Sequence, residues 1–71
     1  MRYMVEIEAE MLTDEMRSTI NQTTPGKMVS RADGKFVVGT FTSRSEADML
    51  LTTLIDQHPD IQVTLKEIEL N

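Results

Sequence analysis

Seventy-one residues, 39% of them apolar and 27% charged, are enough for one small domain and too apolar for an intrinsically disordered chain. The lack of cysteine excludes disulfides and thiolate metal sites. Twelve acidic residues against seven basic ones give a formal charge of −5, which argues against nucleic acid and anionic membrane surfaces as partners.

Apolar runs are far too short for a transmembrane helix. The segment Met1-Arg2-Tyr3-Met4-Val5-Glu6 has neither the apolar stretch nor the cleavage site of a secretory signal, so the cytoplasm is the expected compartment.

The first segment alternates. Tyr3, Val5 and Ile7 share one side of an extended chain, and Met4, Glu6 and Glu8 the other, as in a strand with one buried face. A helix follows: Thr13 is its predicted N-cap, and Asp14 and Glu15 suit the positive end of the helix dipole. Leu12, Met16 and Ile20 recur at four-residue spacing as a thin apolar stripe, and Pro25-Gly26 forces the helix to end by Thr24.

Asp33-Gly34 reads as a two-residue hairpin turn, because both residues tolerate the positive φ of type I′. Pairing outward from it sets Ala32 against Lys35, Arg31 against Phe36, Ser30 against Val37 and Val29 against Val38. Val29, Phe36 and Val38 then share one face, the better core, and Met28, Ser30 and Val37 the other. Ser43-Arg44-Ser45-Glu46 fits a capping box, with the Ser43 hydroxyl and the Glu46 carboxylate each meeting an orphan backbone donor. Ala47, Leu50, Leu51, Leu54 and Ile55 mark a second helix with a single buried stripe, ended by Pro59. Ile61, Val63 and Leu65 alternate as a last strand. The parity flips at Ile68 and Leu70, so either a bulge lies near Lys66-Glu67 or the tail presents a second apolar face.

The order βαββαβ predicts one α+β domain over residues 1–71, of ferredoxin-like type. Right-handed crossovers would lay two helices on one face of a four-stranded antiparallel sheet. The opposite face stays uncovered. Its predicted occupants are Met4, Glu6, Glu8, Met28, Ser30, Val37, Gln62 and Thr64.

The run Phe36-Val37-Val38-Gly39-Thr40-Phe41-Thr42-Ser43-Arg44-Ser45-Glu46-Ala47 resembles the second half of a SPOR (sporulation-related repeat) domain. That family shows a short apolar strand, Gly-x-Phe, a Ser-x-x-Glu-Ala helix start and a Leu-rich helix. The likeness covers residues 35–55; the rest matches in element order. By this resemblance Gly39 turns the backbone off the strand, Phe41 tucks under the helix and Ser43 caps it. It implies a binding module that takes septal peptidoglycan lacking stem peptides on its open sheet face. Met4, Glu6, Ser30, Val37 and Thr64 would face the glycan, in the periplasm.

Catalytic chemistry has little to stand on. His58, in Asp56-Gln57-His58-Pro59-Asp60, would need Asp56 and Asp60 to converge on a metal, yet one imidazole and loop carboxylates underfill a transition-metal shell. A hydrolytic dyad with Asp56 lacks a nucleophile elbow and an oxyanion loop. The expected role of His58 is to complement the helix C-terminus, and no catalytic residue, metal or cofactor is expected. Glu6, Glu8 and Glu10 alternate as an acidic row that a basic partner would meet, although a flat row does not wrap Ca²⁺. RNA-recognition motifs share the element order, but the outward Met4, Glu6 and Val37 offer bases no aromatic platform. Asn21-Gln22-Thr23 matches the glycosylation sequon by chance. Met16 and Met49 are expected to pack beside helix stripes, and Met4 and Met28 to lie on the open face.

Two expectations follow. The first is a non-catalytic binding module that takes a peptidoglycan glycan or a protein partner on its open face, through Met4, Glu6, Met28, Ser30, Val37 and Thr64, or on an exposed strand edge. The second is a self-associating accessory protein of phage or mobile-element type. It would be a homodimer burying Met4, Met28 and Val37, with Ile68 and Leu70, between two copies.

Overall fold

Alternation and capping resolve the chain into six elements, which the structure, a computed structural model, describes over residues 1–68. In order they are β1 (Arg2–Glu8), α1 (Asp14–Thr23), β2 (Met28–Ala32), β3 (Lys35–Phe41), α2 (Arg44–Gln57) and β4 (Gln62–Ile68). The strands form one sheet in the order β2-β3-β1-β4, each neighbouring pair antiparallel. This is the expected α+β, ferredoxin-like arrangement.

With β1 and β3 in the centre, their inward residues Val5, Ile7 and Val38 are fully buried and Phe36 almost so. α2 lies across β1 and β4 and buries Ala47, Leu50 and Leu54. α1 leans on α2 instead, adding Met16 and Ile20 to the same core while its Cα atoms stay more than 8 Å from those of every described strand. Each large apolar side chain so buried stabilises by about 1.5–3 kcal/mol relative to exposure.

The ends of both helices follow from local chemistry. Thr13 Oγ1 accepts from the Met16 N–H at 3.2 Å, and Ser43 Oγ accepts from the Glu46 N–H at 3.4 Å. Thr24 closes α1: its N–H and its hydroxyl both donate to the Ile20 carbonyl, at 2.8 and 3.0 Å. The hairpin has the register read from its turn, Ala32↔Lys35 through Val29↔Val38. Asp33 and Gly34 take φ of 50° and 76°, as a type I′ turn requires.

Some expectations need correction. Gly39 does not turn the chain off the strand, for β3 runs on to Phe41. Tyr3 pairs with Phe41 and Met4 with Gly39, leaving Thr40 as an extra residue. This bulge lets Val38 and Phe41 both face the core although three positions separate them. Near Lys66-Glu67 there is no bulge: β1 and β4 pair without a break from Gln62 to Ile68. Glu67 faces the helix layer because it meets Arg44, the first residue of α2, at 3.5 Å. Ile68, opposite Arg2, therefore lies on the uncovered side, while Leu70 falls outside the described residues.

Ile55 and Met49 are not core residues, being 47% and 59% exposed. Each adjoins a buried leucine in sequence and so points roughly 100° away from it around the helix.

Candidate functional site

Register decides which side chains meet on the uncovered face. Across the sheet run the rows Met28–Gly39–Met4–Lys66, Ser30–Val37–Glu6–Thr64 and Ala32–Lys35–Glu8–Gln62. All six candidate residues, Met4, Glu6, Met28, Ser30, Val37 and Thr64, thus share one face and fall in the first two rows. Gly39 contributes no side chain, so a hollow of about 290 Å³ opens between the methionines, lined also by Ser30, Val37 and Thr40. A Cβ at position 39 would stand 3.4 Å from Met4 Cγ. Met28, at 73% exposure, projects beside this hollow, whereas Met4 and Val37 are half-buried.

Glu6 is the electrostatic centre of the face. Lys35 Nζ lies 3.4 Å from its Oε1 and Lys66 Nζ 3.3 Å from its Oε2, one ammonium for each oxygen. Lys35 also stands 3.7 Å from Glu8. Among the described residues no further layer covers Glu6, so its low exposure comes from these neighbouring side chains. Burial disfavours its charge, but hydrogen bonds and attraction from Lys66 and Lys35 outweigh that and hold the carboxyl below its ordinary value. Glu6 is therefore occupied inside the protein and is not a free acceptor for a ligand. Lys35 and Lys66 were missing from the candidate residues, although parity with Val37 and with Thr64 places both on this face.

The three aromatics all belong to the other side: Phe36 and Phe41 are in the core and Tyr3 packs against it. Glu10 lies past the end of β1, so the expected acidic row reduces to Glu6 and Glu8. His58 is the C-cap of α2, its N–H donating to the Leu54 carbonyl at 2.8 Å. Its Nε2 is 3.4 Å from the Thr19 hydroxyl, which is also 2.8 Å from Gln57 Oε1, so a buried threonine of α1 ties the end of α2 to it.

Among the described residues no three His, Asp or Glu side chains gather as a metal-binding group. No helix among them is long and apolar enough to cross a membrane. Comparison of the chain with family models, with curated proteins and with solved structures returned no match.

Proposed function

We propose that the chain is a non-catalytic binding module of SPOR-like architecture whose working surface is the uncovered sheet face. The observation that carries this reading is the hollow between Met4 and Met28. It is apolar, floored by backbone at Gly39 and bordered by the hydroxyl-bearing Ser30 and Thr40. Such a surface suits a ligand that offers a C–H face and hydroxyl groups together. Taken with the resemblance over residues 35–55, that chemistry favours a peptidoglycan glycan strand freed of stem peptides, met in the periplasm. Methionine thioethers would stand in for the ring platforms common in sugar sites.

Co-sedimentation with amidase-treated sacculi tests this. The wild type should pellet, and Met4→Glu and Val37→Glu should each release roughly nine-tenths of it, since a charge placed in the hollow loses its solvation on binding. Wild type left in the supernatant would rule out the glycan.

A second reading is favoured by Met28, the most exposed apolar side chain of the hollow, with Ile68 on the same face. Here a second copy or another protein covers both, each buried side chain contributing about 1.5–3 kcal/mol. Light scattering over a micromolar dilution series separates the readings. A dimer that Met28→Glu converts to monomer supports self-association, and a monomer throughout removes it.

A further inference from the structure

The cations of this acidic chain are unevenly engaged. Lys35 and Lys66 bind Glu6, and Arg44 binds Glu67. Among the described residues Arg2, Arg17, Lys27 and Arg31 form no ion pair, and all but Arg2 line one groove on the helix side of β2, with the Lys27 ammonium also donating to the Thr40 carbonyl at 2.9 Å. The groove exists because α1 rests on α2 and keeps its distance from the sheet. Two hollows of about 550 and 460 Å³ adjoin along it and share Arg17 and Val29.

Its apolar lining is Met11, Leu12, Ile20, Val29 and Phe36. The Arg31 guanidinium stands 5.7 Å from the centre of the Phe36 ring, and the Lys27 ammonium 5.0 Å from that of Phe41. Their stems thus lie on apolar surface with the charges at the rim. Asp14 and Glu10 also line the groove, so three cations face two carboxylates there, a positive balance on a chain of net charge −5.

The backbone beside the groove is unpaired as well. Among the described strands β2 is an edge strand, bonded only to β3. In a two-residue hairpin the closing pair, Ala32 and Lys35, exchanges both hydrogen bonds, and the alternation then turns the N–H and C=O of Val29 and Arg31 outward. The side chains of these same two residues line the groove.

A strand laid along β2 would continue the ladder and send every second side chain into a groove with an apolar floor and a cationic rim. We propose that the β2 edge and the groove under α1 form a docking site for an extended acidic segment of a partner protein. Glu or Asp would alternate with apolar side chains at its groove-facing positions. Charge selects this occupant over a second copy, because pairing β2 with β2 across a two-fold axis would bring Arg31 and Lys27 of both copies together. The site is separate from the uncovered face, and its test does not depend on what binds there.

The test is titration of ¹⁵N-labelled protein with the synthetic peptide Thr-Glu-Thr-Leu-Thr-Glu-Thr, against the same peptide with Lys for Glu. Saturating amide shifts are expected at Arg17, Val29 and Arg31. Affinity should fall roughly tenfold for the Lys peptide, for the Arg17→Gln/Arg31→Gln double variant, and on raising the salt. Val29→Pro should weaken binding without altering charge, since it deletes an outward N–H on an edge strand that tolerates proline. The spectrum of each variant shows directly whether the sheet is intact. Absence of saturating shifts, shifts confined to Met4 and Val37, or equal binding of the Lys peptide would each overturn the proposal.

Discussion

Glu6 joins three strands on the uncovered face, taking Lys35 from β3 and Lys66 from β4 on either side of its own β1. Its folded pKa is depressed below the ordinary 4.5. The stabilisation it supplies is therefore complete above that value and is lost as pH falls through the folded one. Glu6→Gln should lower stability by about 1 kcal/mol at neutral pH, at the upper end for pairs whose lysines remain partly exposed. In urea melts the variant should also show a flatter acid limb below pH 4.5. Coincident acid limbs in the two proteins would show that the carboxylate stabilises nothing. Gly39 acts by what it lacks. Gly39→Ala puts a methyl group 3.4 Å from Met4 Cγ and 3.6 Å from the Tyr3 carbonyl oxygen, a contact the sheet tolerates within about 1 kcal/mol. It should nevertheless partly fill the hollow, so weaker binding at the face with a melting temperature lowered by no more than about 4–8 °C is the expected result.

At the scale of elements, the hairpin is the most local and the most readable part of the molecule. Its register follows from Asp33-Gly34, whose positive φ values allow only a tight primed turn. Gly34→Ala should destabilise by about 1–2 kcal/mol through left-handed strain alone, because a Cβ there meets no neighbour. A melt unchanged by that substitution would contradict the turn type. The caps are equally local: Ser43→Ala should cost about 1 kcal/mol by leaving the Glu46 N–H without its acceptor. Features set by distant partners were not legible in the same way. The bulge at Gly39-Thr40 answers to the pairing of Phe41 with Tyr3, nearly forty residues away in sequence. Likewise the parity flip at Ile68 left a bulge near Lys66-Glu67 open, whereas β4 continues unbroken and its inward Glu67 meets Arg44 at the start of α2.

At the scale of the whole molecule, the occupants of the uncovered face were legible, because a strand alternates with period two and the register does the rest. What they do to one another was not. Glu6 read alone is a solvated acid, and only the side-by-side placement of β3, β1 and β4 reveals its two lysines. The groove was invisible for a stronger reason, since it depends on how far α1 stands from the sheet. That spacing has a dynamic consequence. α1 is held by Met16 and Ile20 and by the polar link from Thr19 to Gln57 and His58, while β1, β3 and α2 share the fully buried Val5, Ile7, Val38, Leu50 and Leu54. A chain of this length has a total stability of only about 0.05–0.15 kcal/mol per residue, so an element with few anchors opens before the rest. Native-state hydrogen exchange should therefore show α1 amides exchanging through a cheaper local opening than those of β1, β3 and α2. Met16→Ala should speed exchange in α1 alone, whereas Leu50→Ala, at about 2–5 kcal/mol, should lower protection throughout or unfold the chain. Uniform protection across all six elements would mean that α1 is as firmly held as the sheet, and that the width of the groove beside it is fixed.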